Sequence, residues 1–274
     1  MNFKTLSRVL GPGIITAALV FGPSKITITS KMGAEYEYSL IWVVAVAIFF
    51  MMVFTSMSAR IGIATSQSLL QTIRKKWGKP AAIFTGVGVF LVTASFQAGN
   101  SIGIGISLGE LTHKSTLPWI LLCNSIAIGL LFFRSFYKVL GKIMILLIGL
   151  MLFAFISTLL LSRTSGPAIA KGIIPSVPPG SLGFIVAFIA SCFSVVGAFY
   201  QCYLVQERRR ISPGLLQSGR NSYAGIIILG FLSATVLTCA SAVLNPMGIK
   251  VQSATDMAKA LQPLFGNYAS VLFL

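Results

Sequence analysis

The chain has 274 residues, of which 55% are hydrophobic and only 9% are charged, and its mean hydropathy is +0.89. This composition is too apolar for a soluble domain and is typical of a membrane protein with several helices. The 21 Lys and Arg residues and five acidic residues give a net charge of +16, but the cations lie in short segments between apolar runs. That distribution argues against nucleic acid as a partner and indicates the lipid bilayer instead. The four cysteines lie inside apolar runs with no CxxC pair, so they are interpreted as packing residues.

Seven apolar stretches are long enough to cross a bilayer as helices, which takes about 20 residues each. They fall at approximately 10–30, 39–58, 81–108, 117–136, 142–162, 182–205 and 222–244. An eighth begins near residue 264 and is cut at Leu274. We therefore expect one transmembrane domain over residues 1–274 that is truncated within helix 8.

The distribution of Lys and Arg between the apolar stretches predicts the orientation of the chain. Fourteen of the 21 cations lie in the segments that share a side with the N-terminus, and six lie in the alternate segments. Because cytoplasmic loops are enriched in Lys and Arg, we expect a multi-pass protein of a bacterial inner membrane with its N-terminus in the cytoplasm.

The first apolar stretch is interrupted in its middle by Gly22-Pro23-Ser24-Lys25. Proline supplies no backbone N–H and disfavours the helical conformation of the residue before it, so two half-helices should meet here. Within a bilayer such a break is tolerated only where it is buried in protein or lines a cavity, and secondary transporters bind their substrates at such breaks. Lys25 is therefore the first candidate site residue.

The sixth apolar stretch contains a second candidate break at Val196-Gly197-Ala198, followed by polar residues that include Tyr200 and Gln201. Two interrupted helices at corresponding positions are typical of an inverted repeat. We therefore predict a first repeat of helices 1–5 over residues 10–162, and an incomplete second repeat of helices 6–8 over residues 182–274.

Several motifs along the chain resemble the Nramp family of divalent metal transporters. They are Gly11-Pro12-Gly13, the segment Met32-Gly33-Ala34-Glu35-Tyr36, the segment Ala59-Arg60-Ile61-Gly62-Ile63-Ala64-Thr65, Ile102-Gly103, the segment Gly172-Ile173-Ile174-Pro175-Ser176-Val177-Pro178-Pro179-Gly180-Ser181, and Tyr203-Leu204 with Gln206-Glu207-Arg208. The resemblance covers nearly the whole chain. It implies an all-α polytopic membrane protein with the LeuT-like inverted-repeat fold of the APC superfamily, in which helices 1 and 6 are broken.

The same resemblance implies that the metal-binding side chains of the family are absent here. Where the family has the Asp and Asn of an Asp-Pro-Gly-Asn motif, this chain has Gly22 and Lys25. The positions of a metal-binding Met in helix 6, of an Ala that binds through its carbonyl, and of a nearby His are taken by Ala198, Val195 and Tyr200, respectively. An acidic pair of helix 3, associated with proton movement, falls on Gln97 and Asn100.

Three interpretations of Lys25 follow from its place in the break. Its ammonium could replace a bound ion and satisfy the carbonyls of the broken helices. It could hold a small anion or carboxylate together with the first amides of the second half-helix, or it could extend to the membrane surface and take no part in a site. A lysine buried in this position could also carry a coupling proton.

The leading hypothesis from the sequence is a secondary active transporter for a small anion, carboxylate or amino-acid-like solute, working by alternating access. The predicted substrate-binding residues, with no metal ligand among them, are Gly22, Pro23, Ser24, Lys25, Gln97, Asn100, Val195, Ala198, Tyr200 and Gln201. One alternative is transport of a divalent metal ion such as Mn²⁺, Mg²⁺ or Fe²⁺. A second is a membrane sensor domain that transports nothing. No catalytic motif or cofactor-binding motif is recognised, so we expect no enzyme and no cofactor.

Overall fold

The computed structural model describes residues 21–132, 136–162, 164, 166–192, 195–211, 219–249, 251, 256 and 259. The described residues form α-helices with one short 3₁₀ helix, Glu37–Leu40, and contain no strand. The helices are α1 Pro23–Tyr36, α2 Ile41–Ala64, α3 Leu69–Thr112, α4 Thr116–Leu131, α5 Phe136–Leu161, α6 Gly166–Gly172, α7 Leu182–Cys192, α8 Val195–Ile211 and α9 Gly219–Val243. The predicted all-α class is confirmed. The first half of predicted helix 1 and the predicted eighth helix lie outside the described residues.

Helix α3 is much longer than the apolar stretch at 81–108 that predicted it, because a polar turn precedes the apolar part. Ser68 caps the helix: its hydroxyl accepts from the backbone N–H of Gln71 at 3.2 Å, and the Gln71 side chain accepts from the Ser68 N–H at 3.3 Å. This reciprocal pair satisfies two N–H groups that a helix start otherwise leaves unpaired. The helix then kinks at Gly78, whose φ of 86° only glycine adopts readily, just before Pro80.

The buried core lies where α9 packs against α1, α2 and α5. Its fully buried side chains include Met32 of α1, Val43 of α2, Phe155 of α5 and Leu237 of α9. Close approach of α1 to α9 depends on Gly33, because a Cβ there would lie 2.3 Å from the Leu237 carbonyl oxygen. Small residues allow membrane helices to approach in this way, and dispersion contacts then hold them together.

Within the part of the chain that the structure describes, four stretches are long and apolar enough to cross a membrane: Ser24–Ala64, Leu69–Thr112, Leu182–Glu207 and Gly225–Val243. Helices α3 and α4 expose many large apolar side chains, among them Phe84, Phe90 and Leu121. Such surfaces face lipid or further protein in a membrane, since exposing so much apolar surface to water is unfavourable. The chain is therefore described as a membrane protein with several apolar helices.

Hydrogen bonds near the helix termini identify the two ends of the helical bundle. At one end, the Arg209 guanidinium of α8 donates to the carbonyl of Ile63 at the close of α2, at 2.7 Å. At the opposite end, the Trp42 indole donates to the Ser176 carbonyl at 3.0 Å, and the Asn245 amide donates to the Ala34 carbonyl at 2.8 Å. Helices α2 and α8 thus end together, while α1 and α9 end together at the other side.

The Gly33 contact predicts a specific loss of stability. Gly33→Ala forces a methyl group into the α9 backbone, and overpacking of this kind costs about 1–3 kcal/mol. The melting temperature of the purified protein in detergent should fall by about 2–4 °C for each kcal/mol lost. The control is Gly149→Ala in α5, where a Cβ would meet nothing within 4 Å. Equal melting temperatures for the two variants would contradict the close packing of α1 on α9.

Candidate functional site

Helix α1 begins inside the apolar interior, at the residues that predicted a break. Gly22 caps the helix in an extended conformation with φ −97° and ψ 179°, and Pro23 occupies the first turn. The Gly22 carbonyl accepts from the backbone N–H groups of Lys25 at 3.0 Å and Ile26 at 3.2 Å. Proline suits this position because its missing N–H has no partner to lose there.

The start of α1 lies directly against α3, because two glycines without side chains allow the helices to approach closely. A Cβ on Gly22 would lie 2.6 Å from the Asn100 Oδ1, and a Cβ on Gly99 would lie 2.6 Å from the Ser24 Oγ. The Ser24 hydroxyl donates to the Asn100 Oδ1 at 3.4 Å. This contact brings three of the predicted site residues, Gly22, Ser24 and Asn100, into one neutral cluster that presents oxygen atoms.

The Lys25 side chain leaves α1 in another direction, toward Phe188, Ser191 and Cys192 of α7. Its side chain is only 2% exposed, and its ammonium donates to the Ser191 hydroxyl at 3.4 Å and contacts the Cys192 sulfur. The ammonium also lies 4.3 Å from the centroid of the Phe188 ring. A buried cation is stabilised by polar partners and over an aromatic face. Lys25 is therefore held by α7, which excludes the interpretation that it extends to the membrane surface.

The break predicted in helix 6 at Val196-Gly197-Ala198 is not seen in the described residues. Helix α8 already includes Val195 and continues to Ile211, so Gly197 and Ala198 are helical. A glycine does not by itself interrupt a membrane helix, because the backbone hydrogen bonds can continue through it. The Ala198 carbonyl accepts a hydrogen bond from the Ser58 hydroxyl of α2.

The remaining predicted site residues are divided between two places. Tyr200 is half-buried and Gln201 is 2% exposed, both on α8. Gln97 lies on an exposed part of α3 and donates to Asn124 of α4 at 2.9 Å and to Ser101 at 3.2 Å. Gln97 thus contacts α4 while Asn100 contacts α1, although the two are less than one helical turn apart.

A cavity of about 190 Å³ lies between α2, α8 and α9. It is lined by Thr55, Ser56, Ala59, Arg60, Ile63, Gln201 and Tyr223. Of the predicted site residues only Gln201 reaches it. The cavity lies toward the end of the bundle at which α2 and α8 terminate, so it provides a polar space between the membrane interior and that surface.

Sequence reasoning missed the residues of α7 that receive Lys25. Cys192 was interpreted as a packing residue, and Phe188 and Ser191 were not considered. Phe188, Ser191 and Cys192 are 163, 166 and 167 positions from Lys25 in the chain, respectively. Nothing in the local sequence marks them as its partners. The one available signal was that a lysine in a membrane helix requires a polar or aromatic partner, which α7 could supply.

The described residues offer neutral donors instead of a set of anionic metal ligands. They contain no group of three or more His, Cys, Asp or Glu side chains that could hold a metal ion. The oxygen donors near the start of α1 are the side chains of Ser24 and Asn100. Hydroxyl and amide oxygens suit hard cations that keep part of their water shell, and they suit soft metals poorly.

Comparison with known proteins gives the evolutionary context of this site. The sequence model of the family described as "Natural resistance-associated macrophage protein-like", or Nramp, matches residues 13–274. The chain belongs to the Nramp family. The resemblance inferred from its motifs is thereby confirmed, and the family is one of membrane transporters.

Two curated Nramp relatives carry the name "Divalent metal cation transporter MntH". The protein of Chromohalobacter salexigens is 28% identical over 270 residues, which cover 94% of this chain and 62% of that protein. The protein of Deinococcus radiodurans is 26% identical over 286 residues, which cover 96% of this chain and 63% of that protein. The chain therefore spans less than two thirds of the length of these relatives.

A solved structure with the same fold is that of a mutant manganese transporter from Eremococcus coleocola. The TM-score is 0.74 and the sequence identity 19%, with 99% of this chain and 62% of that chain covered. A second mutant of the same transporter matches with the same values. At this identity the likeness establishes the fold alone, which is that of an Nramp transporter.

The prediction that the transported solute is a small anion, carboxylate or amino-acid-like molecule is wrong. It is overturned by the relatives, which are named divalent metal cation transporters. The structure supplies a physical reason for the error. That prediction needed a lysine ammonium directed at a substrate, whereas the Lys25 ammonium is buried against Ser191, Cys192 and the Phe188 ring.

The burial of Lys25 predicts different effects for two substitutions. Lys25→Ala removes the aliphatic stem and leaves a cavity beside Phe188, which should cost about 2–4 kcal/mol of unfolding free energy. Lys25→Met fills a similar volume and should cost less than about 1.5 kcal/mol. Thermal unfolding in detergent measures both, with Lys31→Ala, on a half-buried position of the same helix, as the control. A loss for Lys25→Met as large as for Lys25→Ala would show that the polar contacts, and not packing, fix the side chain.

Proposed function

We propose that this chain is part of a secondary transporter that moves a divalent metal cation across a membrane by alternating access. The observation that carries the proposal is the pairing of the Ser24 hydroxyl with the Asn100 amide oxygen at the start of α1. This pair places oxygen donors at the chain break of a family whose named relatives transport divalent metal cations. No enzymatic activity is proposed.

The separation of Lys25 from the oxygen pair supports the proposal. Ser24 and Lys25 are consecutive on α1, so their side chains leave the helix about 100° apart. Ser24 contacts α3, while Lys25 contacts α7. A cation beside Asn100 would thus have the body of α1 between itself and the ammonium, which lengthens the distance over which the two charges repel.

Repulsion by Lys25 should nevertheless weaken binding of the cation. At a separation of about 8 Å and an effective dielectric constant of about 20, a unit charge and a divalent ion repel by about 4 kcal/mol. We propose that the cation is a hard ion such as Mn²⁺ or Mg²⁺, held by neutral oxygens and retained water molecules. Because ionisable residues inside a membrane bundle often serve as proton relays, Lys25 is also the residue proposed to carry a coupling proton.

The wider organisation of the protein forms part of the same proposal. Helix α1 corresponds to the second half of broken helix 1, and α7 with α8 corresponds to broken helix 6, as in an inverted repeat over residues 10–162 and 182–274. The end of the bundle rich in Lys and Arg would face the cytoplasm of a bacterial cell, and the N-terminus would lie on the same side. The cavity lined by Gln201 and Arg60 would then lie on the inner part of the transport path.

Asn100→Ala tests the oxygen pair directly. It should weaken binding of Mn²⁺ to the purified full-length protein by about five- to thirtyfold, because a polar contact to a charged group contributes about 1–2 kcal/mol. Binding is followed by the rise in melting temperature with Mn²⁺ concentration. The matched control is Asn124→Ala, which removes the same group from the cluster of Gln97 and Ser101 on the other face of α3. An equal loss in both variants would contradict the assignment of Asn100.

Lys25→Met tests whether the Lys25 ammonium repels the bound divalent cation. Removal of the ammonium should strengthen Mn²⁺ or Mg²⁺ binding by at least about tenfold, a conservative fraction of the energy estimated from Coulomb's law. The same substitution at Lys31 is the control, since it removes a charge from the same helix.

Flux of Mn²⁺ or Mg²⁺ into proteoliposomes loaded with a metal-sensitive dye tests transport by the wild-type protein. Absence of both binding and flux for every divalent ion tried would overturn the proposed function.

A further inference from the structure

A cluster of exposed cations lies at the end of the bundle where α2 and α8 terminate and α3 begins. This cluster, named the basic end, consists of Arg60, Arg74, Lys75, Lys76, Lys79 and Arg209. The Gln206 side chain connects α8 to the segment between α2 and α3, because it donates to the carbonyls of Thr65 at 3.0 Å and Gln67 at 2.8 Å. The cations therefore share one surface and are not scattered along the chain.

Few acidic residues oppose these charges. The chain has five acids, and none lies between residues 38 and 109. Glu35, Glu37 and Glu110 belong to the opposite end of the bundle, at the close of α1 and of α3. Among the described residues of α2, of the first turns of α3 and of α8, Glu207 is the one acid. The basic end thus needs negative charge from outside the described part of the chain.

The first part of α3, from Leu69 to the kink at Gly78, carries an apolar side as well as these charges. Leu70 packs back toward the spanning part of the helix, since a Cβ on Gly86 would lie 3.8 Å from its Cδ2. Ile73 and Trp77 follow Leu70 at helical spacing, on the same side of the helix. Trp77 is 63% exposed, and the Lys76 ammonium lies 4.9 Å from the centroid of a Trp77 ring.

The position of this segment identifies what its apolar side meets. The kink at Gly78 and Pro80 is followed at once by the exposed apolar residues Ile83 and Phe84, at the start of the part of α3 that crosses the membrane. Trp77 and the four cations of α3 therefore lie at the boundary between lipid and water. Tryptophan is enriched at that depth, and helices with Lys or Arg beside an aromatic side lie along it.

We propose that the segment from Leu69 to Lys79 lies on the bilayer surface and that the basic end binds the headgroups of anionic phospholipids. Trp77 inserts between the lipid headgroups, while Arg74, Lys75, Lys76 and Lys79 bind phosphate oxygens. Each basic residue near an anionic surface contributes about fivefold in affinity at physiological ionic strength. The part of this role carried by Arg74, Lys75, Lys76 and Lys79 does not depend on which solute is transported, because these residues do not line the cavity between α2, α8 and α9.

The proposal is tested with the full-length protein in a neutral detergent, to which phosphatidylglycerol or phosphatidylcholine is added. Native mass spectrometry gives the affinity for each lipid, and thermal unfolding gives the stabilisation. Phosphatidylglycerol should bind more tightly, and Lys75→Gln with Lys76→Gln should reduce that affinity by at least about tenfold. The matched control is Lys114→Gln with Lys171→Gln, which removes two exposed lysines at the opposite end.

Each result decides the proposal. Selective loss in the Lys75 and Lys76 variant supports it, and a preference that weakens as salt is raised agrees with an electrostatic contact. No preference for phosphatidylglycerol, an equal loss in the control variant, or equal stabilisation by inorganic phosphate would overturn it. If the double variant does not fold, quenching of Trp77 fluorescence by brominated phosphatidylcholine in nanodiscs replaces it, with Trp77→Phe to isolate the signal. Absence of quenching would overturn the placement of the segment on the bilayer.

Discussion

A lysine ammonium buried in an apolar bundle is the constraint on which the arrangement around the start of α1 depends. Removing such a charge from water is costly unless polar or aromatic groups surround it. Helix α7 supplies the Ser191 hydroxyl, the Cys192 sulfur and the face of Phe188. Because α1 begins only at Pro23, Lys25 lies deep in the bundle and can reach these groups without leaving the interior. The start of α1 and the described part of α7 are thus linked through the lysine.

Glycines at the contacts of α1 determine how closely the neighbouring helices approach it and which side chains meet there. Gly22 and Gly99 let α1 and α3 approach until Ser24 meets Asn100, and Gly33 brings the far part of α1 against α9. In a membrane, where no hydrophobic force draws helices together, such close contacts supply much of the association energy. The consequence for function is a division of α1 into a side with neutral oxygens and a side with a cation. The divalent cation site proposed above lies on the first side.

Charge is also divided along the axis of the bundle. The basic end carries exposed Lys and Arg residues around α2, α3 and α8, whereas three of the five acids lie at the opposite end. The kink at Gly78 changes the direction of the first part of α3, and in the proposed arrangement its charges follow the membrane surface while Trp77 lies at the boundary. Such a boundary would give the helices that carry the oxygen pair a defined depth in the bilayer.

The sequence by itself determined the membrane class, the all-helical fold, the approximate positions of the apolar helices that the structure describes, the start of α1 and the family. These follow from hydropathy, from proline and glycine chemistry and from motifs, all of which act over a few neighbouring residues. It did not determine that Lys25 contacts α7, that Gln97 contacts α4 while Asn100 contacts α1, or that Gly197 lies within a helix. Such pairings depend on how each helix is rotated about its axis and on partners as far as 167 positions away. Only the packed tertiary structure decides them, because the lowest free energy for a buried polar side chain is set by the neighbouring helix and not by its own.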